Sequence, residues 1–211
     1  MSTFTPSGTD TGQTVISPQA LTAGNIAYGT LDLRGKFGGR IAMMVGKGST
    51  TALTNKGVQA ICRPAMNGGG IVVPKVGYSN TLTATYQMTV TNAVTANGSV
   101  QSFAVGGTGT PADNDILCFW GVTALPANGT ALPTLEFARV HSYSSPTLTL
   151  DTYIRQNKLA GEIFASNADC WFLTLQGGCL YEVIFDYDAT SAGAACAVVA
   201  YYQTDDSVVG S

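Results

Sequence analysis

Several short stretches carry residue types that do chemistry elsewhere, and spacing decides whether they do it here. Asp10-Thr11-Gly12 has the core of the aspartic-protease triplet, a chemistry in which two carboxylates share one proton. The chain holds a single copy, between Thr9 and Gln13 in a polar stretch, so a dimer would have to supply the second acid. Gly46-Lys47-Gly48-Ser49-Thr50 has the flavour of a phosphate loop. That loop needs Gly-Lys-Ser/Thr contiguously at the start of a helix. Gly48 breaks the adjacency and no helical pattern follows, so a turn with a solvated Lys47 is expected. His141 is the sole histidine. A triad with Ser142 or Ser144 and Asp151 can be drawn on paper, but no Gly-x-Ser-x-Gly elbow accompanies it. Asp186 and Asp188 share a strand face with Glu182, which would suit a glycosidase pair. With Asp205 or Asp206 the same oxygens would suit calcium. A solvated strand face running into a loop is the simpler reading. No catalytic residue, metal ligand or cofactor site is therefore assigned.

The remaining polar signals point to structure and association. Cys62, Cys118, Cys170, Cys179 and Cys196 all lie in apolar runs without a C-x-x-C pair, as expected of small buried hydrophobes in a reducing compartment. Cys170 and Cys179 flank a candidate hairpin, which leaves a disulfide as a minor alternative. Asn97-Gly-Ser and Asn128-Gly-Thr are formal glycosylation sequons but read better as turns. Arg34, Lys36, Arg40 and Lys47 place four of ten positive charges within fourteen residues of an acidic chain, a local patch suited to an acidic neighbour.

The elements that must position these groups are strands. Cys170–Leu175, Cys179–Tyr187 and Ala194–Tyr202 are runs rich in aromatic and β-branched residues, separated by turn formers, and predict successive antiparallel strands. In the middle run Tyr181, Val183, Phe185 and Tyr187 share a core face, while Leu180, Glu182, Ile184 and Asp186 form a mixed face for solvent or a partner. Upstream, Asn25–Leu33, Ile41–Val45, Gly57–Arg63, Val100–Val105 and Asp115–Val122 read as strands. Thr81–Val90 alternates, with Leu82, Ala84, Tyr86, Met88 and Val90 on one side. Thr134–Val140 and Thr147–Asp151 predict a hairpin. Tyr153–Phe164 is the one plausible helical piece, weakened by Gly161. Turn signals every ten residues or so predict an all-β antiparallel sandwich or jelly roll. Residues 1–20, polar and weakly patterned, are expected to form an extended N-terminal arm that clamps its own domain or a neighbour. Residues 21–211 form the sandwich domain, with a possible subdivision near 64–74.

Composition narrows the function classes. The chain has 211 residues, net charge −3, 11% charged and 45% hydrophobic residues. An acidic balance gives no electrostatic reason to expect nucleic acid, and the aromatic content is not that of a disordered chain. Neither a basic-then-apolar leader nor a membrane-length apolar run is visible, so synthesis in a cytoplasm without a membrane partner is expected. So few charges leave a surface of Thr, Ser, Asn, Gln and Gly, which suits burial against neighbours in an assembly.

Gly38–Gly57, with Arg40-Ile-Ala-Met-Met-Val-Gly-Lys-Gly-Ser inside it, and Phe137-Ala-Arg-Val140 with Thr147–Asp151 resemble stretches of small β-rich virion proteins of tailed bacteriophages. Over most of residues 21–211 the chain is similar in style to capsid decoration, or cement, proteins. The resemblance implies a β-sandwich that oligomerises, often as a trimer, on the major capsid protein lattice at the virion surface. It carries over no catalytic residue. Phe4 and Asp10 of the arm, together with Arg34, Lys36, Arg40 and Lys47, are the expected partner contacts. The alternatives are a tail, fibre or head–tail connection subunit, and a carbohydrate-binding module using Trp120, Trp171, Tyr201 or Tyr202 as sugar platforms.

Overall fold

The computed structural model describes residues 13–50, 57–65, 75–79, 82–188 and 195–205. The strands, in chain order, are β1 (Thr14–Leu21), β2 (Ile26–Asp32), β3 (Gly38–Lys47), β4 (Val58–Pro64), β5 (Lys75–Ser79), β6 (Gln87–Val90) and β7 (Ser102–Gly106). They continue with β8 (Ile116–Gly121), β9 (Glu136–Ser144), β10 (Thr147–Leu150), β11 (Ile163–Ala165), β12 (Asp169–Gln176), β13 (Leu180–Tyr187) and β14 (Cys196–Asp205). All named pairs are antiparallel.

The strands form two four-stranded sheets, ordered β1-β14-β3-β12 and β2-β13-β4-β5, and a closed barrel ordered β10-β7-β6-β11-β8-β9. The two sheets face each other as a sandwich. Tyr181, Val183, Phe185 and Tyr187 of β13 meet Ile41, Met43 and Val45 of β3 and Cys196, Val198 and Ala200 of β14 in one core. The predicted core face of β13 is thus the core face. The barrel is built entirely from residues between β5 and β12, so the chain leaves the sandwich once and returns once. Ser79 Oγ donates to Asp169 Oδ2 at 2.6 Å where departure and return meet.

The other face of the β1-β14-β3-β12 sheet packs on the barrel. Ala197 and Val199 of β14 and Met44 of β3 join Cys118 and Trp120 of β8 in a second core. Burial on both faces explains why β14 reads as a continuous apolar run, residues 196–200 being fully buried. The barrel has its own interior, in which Phe119 lies 4.8 Å from Phe164 and 6.2 Å from Phe103.

Several expectations change here. Cys170 and Cys179 do not flank a hairpin: β12 is an edge of one sheet and β13 is central in the other. At the crossover the Tyr181 hydroxyl donates to Gln176 O at 3.0 Å and accepts from Gln176 N–H at 3.1 Å, which fixes the corner. Tyr153–Phe164 is not a helix. It is a run of turns with a bridge between Lys158 and Val94, ending in β11. Gly161 sits there at φ +81°, a left-handed conformation that helices exclude. Leu82, Ala84, Tyr86, Met88 and Val90 are all buried, yet in three different cores. Regular pairing covers Gln87–Val90, because the residues before it cross from sandwich to barrel. Residues 14–20, which the sequence reading placed in the arm, belong to edge strand β1 on β14. Residues 1–12 lie outside the described residues, as does most of the 64–74 stretch.

Candidate functional site

Among the described residues, the outer face of the β2-β13-β4-β5 sheet gathers the exposed Ile26, Tyr28 and Tyr78 on one regular surface. Ladder register fixes its layout. Tyr28, Ile184 and Ile61 lie side by side across β2, β13 and β4, and Ile26, Asp186, Gln59 and Tyr78 form the next row across all four strands. Ile26 is 60% exposed, Tyr28 55% and Tyr78 46%. Of the acidic groups beside them, Glu182 is paired within the sheet and Asp32 at its rim, while Asp186 stands in the second row itself. Arg63 donates from Nε to Glu182 Oε2 at 2.5 Å, directly cross-strand, and the Tyr28 hydroxyl reaches Glu182 Oε1 at 3.5 Å. At the rim Arg34 grips Asp32 with Nε–Oδ1 at 2.9 Å and Nη2–Oδ2 at 2.7 Å. Those hydrogen bonds hold the Asp32 carboxyl down at about 2. Covering this face would keep the Glu182–Arg63 pair matched, and a partner would have to meet the Asp186 side chain with a polar group of its own.

The basic cluster is dispersed. Arg34, Lys36 and Arg40 are exposed at one end of β3, whereas Lys47 lies seven residues on, roughly 23 Å along a strand. Lys47 is only 4% exposed, with Nζ 3.7 Å from Asp169 Oδ2. The solvated lysine expected for that turn is therefore a buried one, and Lys47 is not part of a surface patch. The glycines around it allow close approach. A β-carbon on Gly46 would collide with Cys118 Sγ of β8, and one on Gly48 with Ala195 O. The Gly-Lys-Gly-Ser stretch is thus the seam between sandwich and barrel, and Ser49 O accepts from Ala84 N–H at 2.8 Å across it. Phe4 and Asp10, with the rest of the Asp-Thr-Gly triplet, lie outside the described residues.

His141 and Asp151 do meet. His141 Nδ1 is 3.2 Å from Asp151 Oδ1, and Arg139 Nε donates to Asp151 Oδ2. His141 sits at an irregularity of the β9–β10 ladder. Among the described residues no serine hydroxyl hydrogen-bonds the ring. Ser142 stands opposite Thr149, and Arg139 and His141 form a surface cluster around the half-buried Asp151.

The cysteines are free. Cys62, Cys118 and Cys196 are buried and Cys170 and Cys179 half-buried. Burial pushes the Cys62 thiol up to about 11 and those of Cys170 and Cys196 to about 12. At neutral pH these are thiols and poor nucleophiles. Trp120 is buried, with Nε1 donating to Thr123 O at 2.9 Å. The Trp171 ring is half-buried against Gly77 of β5, where any β-carbon would overlap it. Tyr201 and Tyr202 are half-buried against the two cores, on opposite faces of β14. No group of three or more His, Cys, Asp and Glu side chains among the described residues is arranged to hold a metal ion. Asn97 and Asn128 behave as turn residues. Asn97 Oδ1 accepts from Ser99 N–H at 3.1 Å, Asn128 Oδ1 accepts from Thr22 N–H at 3.2 Å, and Gly98 and Gly129 have positive φ.

No family model, curated protein or solved structure matches the chain.

Proposed function

We propose that this chain is a non-enzymatic structural protein that decorates and stabilises a bacteriophage capsid. It docks the outer face of the β2-β13-β4-β5 sheet on the major capsid protein lattice and associates with copies of itself, a trimer being the expected number. The observation that carries the reading is that face: exposed Ile26, Tyr28 and Tyr78 on one regular sheet, with Glu182 beside them paired to Arg63. Exposed apolar area on a regular sheet marks contact with a partner, and the Glu182–Arg63 pair lowers the desolvation cost of that contact at its own position. The charge-poor composition supports the same conclusion. Binding to the assembled lattice and not to free subunits would stabilise the capsid by mass action.

Native mass spectrometry, combined with co-sedimentation on assembled, undecorated capsids, tests the proposal. The expected result is an oligomer that pellets with capsids, and a Tyr28→Asp variant that folds but stays in the supernatant. A monomer indifferent to capsids removes the proposal. A protein that pellets only with tails or tail tubes moves it to the tail.

A further inference from the structure

The most heavily buried ionic group in the described structure lies inside the barrel. The Lys158 side chain is 0% exposed, with Nζ 2.8 Å from Glu136 Oε2 and 3.5 Å from Glu162 Oε1. The Glu136 and Glu162 side chains are 9% and 1% exposed. Nζ also lies 5.0 Å from the centre of the Phe119 ring. Despite these approaches, neither Nζ nor Glu162 Oε1 makes an aligned hydrogen bond: the ammonium is close to Glu136 but out of line for donation.

Everything else about the group is fixed. Glu136 Oε1 accepts from Arg155 N–H at 2.9 Å and Oε2 from Gln156 N–H at 3.3 Å. Glu162 Oε2 accepts from Leu159 N–H at 3.0 Å. The Lys158 backbone is bonded both ways to Val94, at 2.8 and 2.9 Å. One basic and two acidic side chains sealed together, with an unused donor and an unused acceptor, are costly to bury, and such exceptions call for a chemical reason.

We propose that Lys158 and Glu136 condense into an intramolecular isopeptide bond, with Glu162 transferring the protons. The Lys158 ammonium gives a proton to the Glu162 carboxylate, and the freed amine adds to Cδ of Glu136, forming the N–C bond. Negative charge on the adduct oxygens faces the Arg155 and Gln156 amides, which are already in place as hydrogen-bond donors. Glu162 returns that proton to the departing oxygen and then relays a second one from the adduct nitrogen to the same oxygen, so that the C–O bond breaks and one water leaves. One ammonium hydrogen stays on the amide nitrogen and two depart with the oxygen. Glu162 ends as it began, and nothing is oxidised or reduced. Fixed proximity in a water-excluded site supplies the driving geometry. The product removes two buried charges and leaves an amide N–H beside the previously unpartnered Glu162 Oε1. Because β9 and β11 both flank β8, the bond would tie the start of β9 to the turn preceding β11 across that strand. This chemistry is independent of the docking proposal.

Intact mass of the purified full-length protein tests it. The expected mass is about 18 Da, one water, below that of the sequence, with a branched proteolytic fragment joining the peptides of Glu136 and Lys158. Glu162→Gln, which keeps the side-chain shape, is expected to restore the full mass. Wild-type protein at full sequence mass, yielding separate Glu136 and Lys158 peptides, overturns the bond. A Glu162→Gln protein that still loses the water overturns the role given to Glu162.

Discussion

At the scale of single residues, the cores make the sharpest predictions. Phe164 is fully buried and packs on Phe119, so Phe164→Ala is expected to cost about 3–5 kcal/mol, read as a lowered urea midpoint with unchanged slope. The buried thiols predict a pH dependence. Below pH 9 the thiol is protonated in both states and contributes nothing. Above it the unfolded chain ionises while Cys62 and Cys196 hold their protons up to about 11 and about 12. The unfolded state then binds fewer protons, so stability falls as pH rises, by up to about 1.4 kcal/mol per pH unit for each retained proton. Thermal melts of wild type and Cys196→Ala between pH 8 and 11 should converge as pH rises, and parallel curves would contradict this. The cysteines were legible in the sequence because each sits in an apolar run. Lys47 and Lys158 were not. A lysine between glycines, or four residues before a glutamate, looks like a solvated turn or a helical surface pair, and only tertiary partners show otherwise.

At the scale of elements, alternation served best where one strand faces one core. The core face of β13 follows directly from its residues, and the two runs expected to form a hairpin do pair as β9 and β10, with β9 continuing past Val140 to Ser144. Periodicity failed where a segment passes between cores. Leu82 to Val90 alternates throughout, yet its side chains serve sandwich, seam and barrel in turn. It also failed at Tyr153–Phe164, where the spacing of apolar residues reflects turns folded over the barrel. The seam gives the prediction for this scale. Gly46→Ala places a methyl against Cys118 of β8, and overpacking of this kind costs about 1–3 kcal/mol. Chemical denaturation of this variant beside Gly98→Ala, whose β-carbon would meet nothing within 4 Å but whose φ is +77°, separates crowding from backbone strain. Both should destabilise, and only Gly46→Ala should disturb the near-ultraviolet signal of Trp120 in the shared core.

At the scale of the whole molecule, the candidate site was half legible. The mixed face of β13 was visible as solvated or partner-facing. The pairing of Glu182 with Arg63, and the row from Tyr28 to Ile61, depend on which strands flank β13, and β2 and β4 lie far from it in sequence. Sandwich and barrel share the core around Cys118, Trp120, Ala197 and Val199, so they are expected to unfold together. Trp171 reports on the sandwich and Trp120 on the seam. Fluorescence of Trp120→Phe and Trp171→Phe should give coincident transitions in urea once each is referred to its own midpoint by circular dichroism. A fluorescence change well separated from the circular-dichroism transition would show that the two bodies melt apart.

The strand order has a consequence for how the molecule is made. β14 lies between β1 and β3, yet it is the last of the described strands, and 148 residues lie between Lys47 and Cys196. At ordinary ribosomal speed that is a wait on the order of ten seconds. The barrel strands all fall within one continuous stretch and can close as soon as they emerge. The nascent chain thus has every barrel strand, with Cys118 and Trp120, made before the β14 residues that pack on them. A product truncated before Cys196 would leave β1 and β3 with open edges, the condition that draws partly made chains into aggregates.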